Sequence, residues 1–201
     1  MLKEYARFAA DKTFELLAID SPTGFTKAAA EWVAGEFTSL GYEAKITNKG
    51  GVIVNVGVPD GDGLLLEAHV DTLGAMVAEI KGNGRLRVTS LGGMRAENAE
   101  TENVRVYTRE GKIIEGTLQL CNASDHVNGS YADTKRSFDT TEVLLDEDVN
   151  SEDEARALGI EVGDVVAFDP RSRLTPSGYI KSRFLDDKLS VGILHDVIVV
   201  L

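Results

Sequence analysis

The 201-residue sequence predicts an α/β domain interrupted by an inserted small β-barrel. Three observations carry this expectation. Two amphipathic helical patterns, a hairpin signal and a buried apolar run succeed one another up to Asp71, the opening of a sheet covered by helices. From Thr72 to Ser177 the texture changes to short β-rich runs cut by turn residues at frequent intervals, the spacing of a small barrel or sandwich. From Tyr179 an extended run leads again into a helix. The expected domains are residues 1–71 with 178–201, and an insert of residues 72–177.

Tyr5, Phe8, Ala9, Thr13, Leu16 and Leu17 recur at helical spacing, with Lys3, Glu4, Arg7, Asp11, Lys12 and Glu15 on the other faces, so the chain opens on an amphipathic helix. Ser21-Pro22-Thr23-Gly24 breaks it. A second helix is expected from about Phe25 to Leu40, where Phe25, Ala29, Trp32, Val33, Phe37 and Leu40 trace one stripe and Gly41 supplies a left-handed stop. Strands are expected over Tyr42 to Thr47 and Val52 to Val56, joined through Asn48-Lys49-Gly50-Gly51. Pro59-Asp60-Gly61-Asp62-Gly63 then turns the chain into the apolar run Leu64 to Asp71, read as a buried strand.

Within the insert, strands are expected at Ala75 to Ile80, Leu86 to Leu91, Val104 to Thr108, Ile113 to Cys121, Thr141 to Leu145 and Val162 to Phe168. Gly82-Asn83-Gly84 is a turn, because no helix start follows it. The stretch Met94 to Asn103 is polar and acidic and reads as a loop, whereas Ser151-Glu152-Asp153-Glu154 is a capping box for a short helix that Gly159 closes. Past Asp186-Asp187-Lys188, the final helix is apolar around nearly its whole circumference from Ile193 to Leu201, which suits burial on several sides.

With 43% apolar residues the chain can build a core, and its formal charge of −12 argues against nucleic acid or an anionic membrane as partner, since the phosphate attraction that drives such binding would be repulsive. The opening residues show no signal-peptide pattern, so a cytoplasmic location is expected. The single cysteine, Cys121, has no partner for an intrachain disulfide and is expected to pack. Asn122-Ala123-Ser124 and Asn128-Gly129-Ser130 read as ordinary loop residues.

Alternate residues of a strand face the same way, so His69 and Asp71 should project together. An imidazole that binds a metal needs a carboxylate or carbonyl on its other nitrogen to fix the tautomer, and this pair could supply both parts; a surface turn is the bland alternative. Asp186 and Asp187 stand at a strand-to-helix junction, where a carboxylate can hold a cation, cap the helix, or do both. His126 falls in a polar loop and His195 on the apolar last helix, and both read as non-ligands.

Five stretches, in order, resemble the glutamyl and deblocking aminopeptidases, co-catalytic metallopeptidases that form tetrahedral particles. They are Ile19 to Gly24, Glu67 to Val77, Leu91-Gly92-Gly93, Ser151 to Asp164 and Arg183 to Lys188. The resemblance implies a partial α/β/α metallopeptidase sandwich carrying the barrel as an oligomerisation domain. It implies two divalent ions, zinc or cobalt, with His69 a ligand to one, Asp186 rather than Asp187 the bridge between them, and Asp71 the catalytic-site carboxylate behind His69. Peptide substrates read by their free amino terminus, and a homo-oligomer built on dimers up to a dodecamer, follow from the same likeness. The family's paired glutamates, a further aspartate and a last histidine ligand lie downstream of the Asp-Asp motif, beyond Leu201. The chain is therefore expected to be the N-terminal half of a longer enzyme, inactive alone. A metal-dependent deacylase or carboxypeptidase, and a non-catalytic assembly module, are the alternatives.

Overall fold

The computed structural model describes residues 2–57 and 63–200, which divide into two compact units: residues 1–72 with 170–201, and residues 73–169. In the first unit α1 (Leu2–Leu17) and α2 (Lys27–Ser39) bury one stripe each, as their spacing requires. Leu16, Ala29, Val33 and Phe37 form the core, with Trp32 and Ile19 packed against it. Gly41, at φ +89°, ends α2: Tyr42 N–H donates to Phe37 O at 3.1 Å and Gly41 N–H to Thr38 O at 2.9 Å, the paired bonds of a left-handed helix stop.

The hairpin β1 (Ala44–Ile46) and β2 (Val52–Val54) is shorter than its sequence pattern, with Ala44 opposite Val54 and Ile46 opposite Val52. The turn expected at Pro59 to Gly63 lies almost wholly outside the described residues.

The run Leu64 to Asp71 is not a strand. Leu64, Leu65 and Leu66 are 84%, 81% and 51% exposed, and no ladder holds them among the described residues. An apolar run encodes a demand for burial, but a strand exists only where a neighbour offers its backbone bonds. Here only the end of the run is held. Ala68 and Val70 pack against the core, Ser21 Oγ donates to Val70 O at 2.7 Å, Thr72 N–H donates to Ser21 O at 2.8 Å, and Thr23 N–H donates to Thr72 O at 3.1 Å.

The second unit is a closed barrel of six antiparallel strands in the order β3-β4-β7-β6-β5-β8. These are β3 (Gly74–Ile80), β4 (Leu86–Leu91), β5 (Asn103–Tyr107), β6 (Ile113–Leu120), β7 (Thr141–Leu145) and β8 (Val165–Phe168). Alternation fills the interior: Val77, Val88, Val104, Val106, Leu118, Leu120, Val143, Val166 and Phe168 are all buried. Gly116 of β6 is required by contact, since a Cβ there would stand 2.6 Å from Leu144 O. The capping box before α3 (Glu152–Ala157) forms in a variant: Ser151 Oγ accepts from Glu154 N–H, while the Glu154 carboxylate reaches past Ser151 to accept from Asn150 N–H at 2.7 Å.

Two readings of this unit need correction. Met94, Ala96 and Ala99 in the expected loop are buried around a 3-10 turn, Ala96–Asn98, because the alanines supply apolar anchors that a count of charges overlooks. Cys121 is exposed rather than packed, standing one residue past β6 where the barrel wall has ended.

The chain then returns to the first unit through the hairpin β9 (Arg173–Leu174) and β10 (Ile180–Lys181) and enters α4 (Leu185–Val200), which packs along α1. Gly192 permits the crossing, because a Cβ there would lie 2.2 Å from Thr13 Oγ1 and 2.8 Å from Ala9 O. His195 stacks on Phe8, with ring centroids 5.2 Å apart, and leans on Phe37 at 5.3 Å. Within this chain α1 and the core cover the face of α4 that carries Val191 and His195, and Ile193 and Val197 are exposed.

Candidate metal centre

Two distant stretches of the first unit meet at His69. Its Nδ1 lies 3.0 Å from Asp71 Oδ1 and its Nε2 3.2 Å from Asp186 Oδ1. Its backbone N–H donates to Asp187 Oδ2 at 3.3 Å across 118 positions of sequence. The three predicted side chains are thus within reach of one another, although His69 and Asp71 do not stand on a strand. The Asp71 carboxylate is itself held, since Thr23 Oγ1 donates to Oδ2 at 2.8 Å. The local backbone explains the placement: the Ser21 and Thr23 bonds pin Val70 and Thr72 on either side of Asp71.

On the other side, Asp186 and Asp187 precede the regular part of α4, with φ/ψ of −83°/105° and −123°/19°. They are not positioned as turns of helix. This frees both carboxylates from the helix surface and turns them towards the His69 segment. Lys188, at the next position, is 1% exposed and donates Nζ–H to Leu16 O at 3.0 Å and Ile19 O at 2.6 Å, closing the C-terminal end of α1. Burial pulls its amine down to about 8, against an opposing pull from Asp20.

Sequence reasoning passed over Thr23 and Lys188. The hydroxyl pair Ser21 and Thr23 beside a proline turn was a usable signal for side-chain clasps to backbone. A lysine at the head of a helix reads as a solvated charge, and nothing local marks it as buried. His195 is 3% exposed and distant in role from this cluster; burial holds its imidazole below the usual value, against the pull of Glu36.

Asp71, His69 and Asp186 form a chain of carboxylate, imidazole and carboxylate open to solvent, Asp186 being 94% exposed. If Nδ1–H donates to Asp71, Nε2 is the nitrogen left for an ion, on the side where Asp186 stands. Nitrogen and oxygen donors of this kind suit zinc or cobalt. The donors fit such an ion in kind and fall short in number: among the described residues no group of three metal-binding side chains occurs. A cavity of about 800 Å³ in the same unit is lined by His69, Asp71, Thr23, Phe37, Val191 and Ile198 among others.

The chain belongs to the M42 glutamyl aminopeptidase family, whose family model matches residues 50–201. The YhfE protein of Bacillus subtilis is 41% identical over 181 residues, 90% of this chain and 52% of that protein. Two solved structures share the fold. An aminopeptidase from the archaeon Desulfurococcus kamchatkensis superposes with a TM-score of 0.82 at 23% identity, over 99% of this chain and 52% of that one. The TET1 peptidase of Pyrococcus horikoshii, described as able to assemble into a tetrahedron or a large octahedral shell, gives 0.81 at 22% identity, over 96% and 56%. The chain spans about half the length of the relatives it matches.

Proposed function

We propose that this chain contributes to a metal-dependent aminopeptidase, with His69 and Asp186 as ligands to a pair of divalent ions, zinc or cobalt, and Asp71 as the carboxylate that orients His69. The observation that carries the reading is the approach of His69 Nε2 to within 3.2 Å of Asp186 Oδ1, with Nδ1 held by Asp71. In this reading Asp71 accepts a hydrogen bond from Nδ1–H and so fixes the tautomer, and Thr23 holds Asp71 in turn. Bound ions would supply Lewis acidity to a peptide carbonyl and lower the pKa of water. His69 and Asp186 are two protein donors, fewer than the three of a mononuclear catalytic zinc site, and among the described residues no group of three metal-binding side chains occurs. The apolar cavity beside His69 offers the room in which a peptide's first residue would lie.

A homo-oligomer in the cytoplasm is part of the same reading, supported by the shell-forming neighbour; no helix among the described residues is long and apolar enough to cross a membrane. The test is hydrolysis of aminoacyl-p-nitroanilides by the protein as it occurs in the cell, with zinc or cobalt added and removed. Metal-dependent release that His69→Ala abolishes is expected. Intact metal binding without hydrolysis of any free amino terminus would leave an assembly module instead.

A further inference from the structure

Lys188 opens the regular part of α4, directly after the Asp186-Asp187 pair. Its side chain is 1% exposed and is among the largest fully buried side chains. Taking an ammonium out of water is costly, and the carbonyls at a helix end can be satisfied more cheaply by water or by a tightened last turn. Closing α1 would not by itself require a lysine from 172 positions away.

What the amine holds points to a second role. Its Nζ donates to Leu16 O at 3.0 Å and Ile19 O at 2.6 Å, and Ile19 N–H donates to Leu16 O at 3.1 Å, so both acceptors belong to one closed turn. That turn runs on into the residues that grip the other side of the centre. Buried Ser21 donates Oγ–H to Val70 O at 2.7 Å and accepts Thr72 N–H on its carbonyl at 2.8 Å, and Thr23 Oγ1 donates to Asp71 Oδ2 at 2.8 Å. Residues 16–23 are thus a common reference for two segments, one carrying His69 and Asp71, the other Asp186 and Asp187. Asp186 needs that reference, because its side chain is 94% exposed and its φ/ψ of −83°/105° takes it out of the helix. Its carboxylate is placed by its backbone, and two residues on that backbone is fixed by Lys188.

Resting on the reading of His69 and Asp186 as metal ligands, we propose that Lys188 is a positioning residue of that centre. Its ammonium ties the head of α4 to the 16–23 turn and so sets the separation of the two ligands before any ion binds. A site assembled from two distant segments loses affinity when either is free to drift, since ordering them then opposes binding. Arginine can offer forked donors to the same two carbonyls, whereas methionine keeps an apolar stem of similar length without a donor.

Two measurements on the protein as it occurs in the cell test the proposal, with K188M, K188R and E142Q, the last a destabilising change in the second unit. Crystal structures of the metal-free proteins read geometry alone. His69 Nε2 and Asp186 Oδ1 should move out of hydrogen-bond range in K188M and stay near the parent's 3.2 Å in K188R and E142Q. Cobalt titration, followed by the visible absorption of the bound ion, reads the consequence: affinity at least about tenfold weaker in K188M, restored in K188R and unchanged in E142Q. K188Q, neutral but still a donor, should fall between the parent and K188M and serves where K188M does not fold. Ligands that keep their separation in K188M, cobalt held as tightly as by the parent, or equal weakening by K188M and E142Q would overturn the assignment of Lys188. Cobalt binding that H69A leaves untouched would instead overturn the reading of the centre, and the metal-free separation would still decide the role of Lys188.

Discussion

His69 has one ring nitrogen on Asp71 and the other facing Asp186, so its tautomer and orientation depend on its carboxylate neighbours. Replacing Asp71 by Asn keeps the shape but offers an amide where a carboxylate stood, loosening both tautomer and ring orientation. Metal affinity should fall about 10- to 100-fold, measured by competition with a chromophoric chelator. Thr23→Val, which removes the hydroxyl on Asp71, should cost less but act in the same direction. At His195 the physics is opposite, since its imidazole is buried between Phe8 and Phe37 and burial favours the neutral form over the attraction of Glu36. Below about pH 6.5 the unfolded chain takes up a proton that the folded chain resists. Urea stability should therefore be level above that pH and decline on acidification, and His195→Gln should flatten the slope between pH 5 and 7. A slope unchanged in that variant would assign the acid sensitivity elsewhere.

At the level of elements, the crossing of α1 and α4 and the wall of the barrel make separate claims. Gly192→Ala places a methyl against a backbone carbonyl, Ala9 O, which cannot rotate away, so the helices must part. A loss of at least about 1–3 kcal/mol in denaturant unfolding is expected. In the barrel, Glu142 is 1% exposed and bonded to both Lys81 and Arg85. Burial alone would raise its carboxyl pKa, but the two cations outweigh burial and hold it below the usual range. Its contribution is present above the ordinary carboxylate pKa and is lost as pH falls through the depressed folded value. Glu142→Gln should destabilise the protein towards the lower end of the ~3–5 kcal/mol that breaking a buried pair costs, because Lys81 and Arg85 keep about a third of their surface in water. The elements legible in the sequence are those whose cause is local: the apolar stripes of α1 and α2, the Gly41 stop, the Ser151 capping box and the turn spacing of the barrel strands. The run ending at His69 was misread because strand formation depends on neighbours that no local pattern names.

Over the whole molecule, family membership and the barrel insert agree with the order of motifs along the chain, while the matched relatives are about twice as long. The proximity of His69 to Asp186 was inferable from the family likeness, whereas the support from Thr23 and the burial of Lys188 required the fold, because each joins residues far apart in sequence. The central claim is that these two stretches grip one ion cluster. The most direct measurement is an anomalous difference map from crystals of the protein grown with cobalt or zinc, recorded at the metal edge. The account predicts a peak in coordination contact with both His69 Nε2 and an Asp186 carboxylate oxygen, with Asp71 on Nδ1 and outside bonding range of the peak. Metal bound elsewhere, or bound to His69 with Asp186 turned away, would contradict it.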